Sequence, residues 1–111
     1  MRRDSKVYLN DVLESILAIE EYTKSLTEEE FNSNRQVQDA VVRRLEIIGE
    51  AVKCLDEEFK NKHSEIPWKK IAGMRDILIH GYFGVNIKRV WIVLKKDLPE
   101  LKQRLSSLYK K

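Results

Sequence analysis

The chain has 111 residues, 35% of them charged and 42% hydrophobic, with a net charge of +3. That length predicts one domain spanning residues 1–111, with enough apolar residues for a core. Four Gly and two Pro are too few for a turn-rich β fold, and one cysteine excludes an intramolecular disulfide.

The first helix is expected over about Asp4 to Ser25. Leu9, Val12, Leu13, Ile16 and Ile19 recur at three- and four-residue steps, with Tyr22 extending the row, and Asp4 or Ser5 can cap it. The basic start Met1-Arg2-Arg3 is followed by Asn10, Asp11 and Glu14, which do not read as a secretory signal. No apolar run reaches the length of a bilayer span, so a cytoplasmic location without membrane contact is expected.

Thr27-Glu28-Glu29-Glu30 has the form of a capping box, and Asn32-Ser33-Asn34 reads as a break. A second long helix is expected from about Asn34 to Asn61. Its apolar series, Val37, Val41, Leu45, Ile48, Val52, Leu55 and Phe59, approaches a heptad seam that could pack within one subunit or against a second copy. Cys54, beside the seam, reads as a buried small hydrophobe. His63 falls in a polar connection and reads as an exposed loop residue.

Pro67 suits the first position of a third helix, running to about Ile79 or His80 and ended by Gly81 and Gly84. Asn86 can cap a fourth helix carrying Ile87, Val90, Trp91, Leu94, Leu98, Leu101, Leu105 and Leu108. Pro99 should interrupt it, with Asp97 capping the restart. Trp68 and Trp91 read as core anchors. The expected architecture is all-α, a four- to five-helix bundle.

Charge is unevenly divided. Residues 1–61 hold nine Lys/Arg and fourteen Asp/Glu, a balance of −5, whereas residues 62–111 hold twelve and four, a balance of +8. A basic half can meet phosphates or an acidic partner.

Chemistry is concentrated in Met74-Arg75-Asp76-Ile77-Leu78-Ile79-His80-Gly81-Tyr82-Phe83-Gly84. On a helix, Arg75 and Tyr82 share a face, and so do Asp76 and His80, so the Asp76 carboxylate can orient the imidazole. Arg75 and His80 lie about 140° apart on an ideal helix. They converge only if the helix loosens near Gly81 or if two copies pool residues across a cleft. Arginine can grip a phosphate while histidine takes a proton from the 2′-OH of RNA or gives one to the leaving oxygen, with no metal and no cofactor. On spacing alone, Arg75 could equally be a salt-bridge partner of Asp76, and His80 a helix-terminal residue facing the dipole.

The spacing Arg75-x4-His80-x-Tyr82 resembles the signature of HepT-like toxins of the HEPN superfamily. Residues 66–76 are similar to that family's approach to the motif, residues 85–101 to its following helices, and residues 44–51 to its long central helix. The resemblance implies a helical-bundle homodimer with a metal-independent endoribonuclease site. Arg75 and His80 would be the catalytic pair, Asp76 a supporting residue, and RNA the substrate. It further implies a toxin–antitoxin setting, in which a minimal nucleotidyltransferase adds AMP to Tyr82 and silences the enzyme. The alternative is a non-catalytic nucleotide-binding module or a structural dimerising partner of a nucleotidyltransferase.

Overall fold

Two long helices, each with a side-chain cap at its start, form the centre of the protein. The computed structural model describes residues 4–73 and 87–109, and among these there is helix but no strand. Helix α1, Ser5–Thr23, begins where the Asp4 carboxylate accepts the Lys6 N–H at 3.0 Å. Its apolar row is buried as expected at Leu9, Val12, Ile16 and Ile19, but the row stops there. Tyr22 is exposed, and Thr23 turns its hydroxyl back to donate to the Ile19 carbonyl at 2.8 Å.

The capping box forms. Thr27 Oγ1 accepts the Glu30 N–H at 3.2 Å and Glu30 Oε1 accepts the Thr27 N–H at 2.9 Å, starting α2, Glu28–Asn32. Three carboxylates in its first turn also suit the positive end of the helix dipole. Asn34 caps α3, Arg35–Lys53, by accepting the Val37 N–H at 3.1 Å.

The expected helix from Asn34 to Asn61 is two helices. At Cys54 the last turn tightens: the Cys54 N–H reaches the carbonyls of Glu50 and Ala51, and the Leu55 N–H reaches that of Val52. Asp56 is extended, with φ −61° and ψ 141°, and α4 runs over Glu57–Lys62. The reason lies in what covers the seam. Helices α1 and α3 each have 19 residues, so about 28 Å of α3 can lie against α1 and no more. Val41, Leu45, Ile48 and Val52 are at most 1% exposed in that packing, so the heptad-like seam is consumed within one chain. The break keeps Leu55 in the core and turns Phe59 toward Trp68, ring centroids 6.1 Å apart. It also leaves Cys54 exposed, against the expectation of a buried thiol.

Helix α5 occupies residues 68–73. Pro67 lies one place before it rather than at its first position, its carbonyl accepting the Ile71 N–H at 3.1 Å. A cap needs only that carbonyl, so the missing N–H of proline costs nothing there.

After residue 86 the chain forms α6, Ile87–Ile92, a π-helical turn at Val93–Asp97, and α7, Leu98–Tyr109. The expected break and restart at Asp97 do not occur. Leu98 stays helical at φ −67° and ψ −41°, and its N–H donates to the Val93 carbonyl, five residues back. Pro99 has no N–H to offer the Lys95 carbonyl, and the ladder widens by one residue instead of breaking. Val90, Leu94, Leu98, Leu101 and Leu105 all stay in the core on either side of the wide turn, at 9% exposure or less. Lys102 on α7 reaches Glu20 on α1 at 3.0 Å. No described helix is long and apolar enough to cross a membrane.

Candidate functional site

Arg75, Asp76, His80 and Tyr82 lie outside the described residues, as does the proposed cap Asn86. The structure places the two elements that the motif joins in the chain, and each is firmly anchored.

On the N-terminal side, Trp68 and Ile71 hold α5 in the core at 7% and 5% exposure. The Trp68 indole N–H donates to the carbonyls of His63 at 3.0 Å and Lys60 at 3.2 Å. Those carbonyls belong to the end of α4 and the turn after it, where helical partners run out. His63 is not a free loop side chain. Its ring lies 4.8 Å from that of Phe59, and its Nδ1 is 3.8 Å from Glu65 Oε1. Its role is to close the α4–α5 connection.

On the C-terminal side, Val90 and Leu94 are buried, and Trp91 packs its ring 5.3 Å from Phe31 of α2. Trp91 is only partly buried, unlike Trp68, so it anchors one edge of the core. The Phe31 backbone is fixed by Gln38, whose buried amide donates to the carbonyls of Phe31 at 2.9 Å and Asn32 at 3.0 Å. A local capping box and a buried amide therefore set the position against which α6 rests.

Cations flank the motif segment on both sides. Lys69 and Lys70 are exposed on α5, and Lys88, Arg89, Lys95 and Lys96 are exposed on α6 and the π turn. The +8 balance of the C-terminal half was the sequence signal for these residues, but it could not say which of them share a face. Lys95 places its Nζ 4.6 Å from the centre of the Trp91 ring, a cation–π contact.

A cleft between α5 and the start of α7 has an apolar floor of Ile71, Leu98 and Leu101 and a charged rim. Its Arg104 is already engaged, donating to the Glu65 carbonyl at 2.6 Å and to Glu100 at 2.9 Å. The cleft brings together no nucleophile and base. Among the described residues no cluster of His, Cys, Asp or Glu side chains could hold a metal ion.

An all-helical protein with its motif between anchored helices, in a strongly basic half, fits a class of helical nucleases that act on a phosphate backbone without a glycine-rich cradle. The chain belongs to the HepT-like ribonuclease family, whose description, Ribonuclease HepT-like, fits residues 12–108. It is 47% identical over 110 residues to a protein of Thermococcus cleftensis named "Probable ribonuclease HepT", covering 99% of this chain and all of that one. It is 57% identical over 105 residues to "Gamma-glutamylcyclotransferase and putative RNase" of Methanocaldococcus jannaschii. That match covers 95% of this chain and 47% of the relative, so the chain spans about half the length of that protein. A "Putative RNase" of Caldanaerobacter subterraneus is 46% identical over 104 residues, 94% of this chain and 93% of the relative. No solved structure matches.

Proposed function

We propose that this chain is a metal-independent endoribonuclease, the toxin of a toxin–antitoxin pair, acting in the cytoplasm as a homodimer. The observation that carries this reading is the family match over residues 12–108, which includes the ordered triplet Arg75, His80 and Tyr82. The basic surroundings of that segment and its anchoring on both sides support it.

RNA brings its own nucleophile. His80 takes the 2′-OH proton, the 2′-oxygen bonds to phosphorus, and the bond from phosphorus to the 5′-oxygen breaks. The leaving oxygen gains a proton, from water or from the second His80 of a dimeric cleft. Arg75 grips the non-bridging oxygens as negative charge builds on them. Asp76 orients the imidazole. The products are a 2′,3′-cyclic phosphate and a 5′-hydroxyl, and DNA, which lacks the 2′-OH, is inert.

Tyr82 is the control point. A partner nucleotidyltransferase would move AMP from ATP to its hydroxyl, releasing pyrophosphate. The attached phosphate then competes with RNA for Arg75.

The test is cleavage of a defined RNA in EDTA by the unmodified protein and by folded His80→Ala. Cyclic-phosphate ends from the first, with a rate about 10²- to 10⁴-fold lower in the second, are expected. Equal cleavage by both would overturn the assignment of His80.

A further inference from the structure

Helix α6 and the π turn that follows it carry a face that the catalytic reading does not use. Lys88, Ile92, Lys95 and Lys96 recur at steps of four, three and one, which groups them on one side of the helix. All four are exposed, while Val90 and Leu94 occupy the opposite, buried side. Ile92 is 55% exposed, more than Val7, Leu17 or Tyr22, the other large hydrophobics left outside among the described residues. Ile92 is thus the apolar centre of an outer face otherwise made of lysines.

Several lysines on other helices are held by carboxylates, although Lys6, Lys53, Lys69 and Lys70 have no such pair among the described residues. Lys24 pairs with Glu21, Lys60 with Glu57, Lys62 with Glu58 and Lys102 with Glu20. Lys88 and Lys96 have no carboxylate partner among the described residues, and Lys95 lies over the Trp91 ring instead. The only acidic residue between Ile87 and Leu98 is Asp97, which turns toward the cleft beside Ile71 and Leu101. The face is therefore cationic with an apolar centre and a partly exposed indole at its edge.

The geometry points to this face as a track for single-stranded RNA, holding the strand outside the scissile phosphate. Lys88, Lys95 and Lys96 meet successive phosphates, and Ile92 and the edge of Trp91 meet the faces of bases or riboses. The charge complementarity favours a polyanion. The paired aromatic and apolar atoms favour one whose bases are unstacked, because a duplex keeps its base faces inside the stack.

This inference rests on the ribonuclease reading for its ligand, but the two can fail separately. The experiment measures binding of a fluorescent 20-nucleotide single-stranded RNA across a salt series. The full-length proteins compared are the parent, the triple variant Lys88→Ala/Lys95→Ala/Lys96→Ala, and a charge-matched control, Lys24→Ala/Lys60→Ala/Lys62→Ala. Circular dichroism reports folding of each, and Ile92→Ser provides a variant that leaves the charge unchanged. The triple variant is expected to lose at least about tenfold in affinity and to show a salt dependence shallower by about two counterions, at ~0.7 per phosphate contact. The control should bind like the parent, and Ile92→Ser should weaken binding several-fold with the salt slope unchanged. Equal affinity and slope in parent and triple variant would overturn the track, even if the parent cleaves RNA, and would leave the face to an acidic protein. Track-dependent binding by a parent that cleaves no RNA would keep the track and overturn the nuclease.

Discussion

The pair α1 and α3 and the run α6–α7 are built from similar apolar rows, yet they behave differently. Helices α1 and α3 are regular, each started by a side-chain cap, and their inner faces are consumed against one another. The run α6–α7 keeps its apolar row in the core across a widened turn at Val93–Asp97, and its outer face carries the exposed Ile92 with Lys88 and Lys96, which have no carboxylate partner among the described residues. The first region spends its sequence on stability. The second accepts an irregular ladder beside a cationic face, which is where binding chemistry has room; exposed apolar side chains do not separate the two, since Val7, Leu17 and Tyr22 lie on α1.

Substitutions that touch one region, or the contacts between them, sharpen that contrast. The largest effect is expected at Phe31, fully buried and stacked on Trp91, so that it joins the N-terminal helices to α6. Phe31→Ala should cost about 3–5 kcal/mol, read from urea unfolding, in a single transition. A loss below ~1 kcal/mol would mean that α6 holds its place without Phe31 and that the two regions are energetically separate.

Thr27 belongs to the N-terminal region alone. Thr27→Ala removes the acceptor for the Glu30 N–H and should cost ~1 kcal/mol. Its effect on RNA binding should be nil, and a matching loss of affinity would tie the capping box to the binding face through Phe31.

The smallest effect is expected for the bridge from Lys102 of α7 to Glu20 of α1, since both side chains are close to half exposed. A double-mutant cycle with Lys102→Ala and Glu20→Ala should give a coupling of ~0.2–1 kcal/mol that fades in high salt. A larger, salt-insensitive coupling would show that α7 is fastened to α1 by charge rather than by Leu98, Leu101 and Leu105.

Much of this fold was legible in the sequence because helix starts are local. Asp4 and Thr27 cap the helices expected of them, and Asn34, read only as the end of a break, caps the next, since a short side chain need only reach an N–H two or three residues ahead. The chemical motif was legible as a pattern of residue types, though its geometry lies outside the described residues. The face on α6 was only partly legible. The steps between Lys88, Ile92 and Lys95 put them on one side of a helix, but that this side is the exposed one follows from the packing of Val90 and Leu94.

The sequence by itself determined the all-helical class, the caps at Asp4 and Thr27, the apolar rows and the uneven charge, which follow from composition, periodicity and short-range hydrogen bonding. Tertiary structure alone decided where the long central row stops, because α3 is useful only as far as α1 can cover it. It also decided that Pro99 widens one turn instead of ending the helix, since Val90 and Leu94 before it and Leu101 and Leu105 after it are all buried in the same core. Both decisions turn on what a neighbouring helix can bury, and no local pattern carries that information.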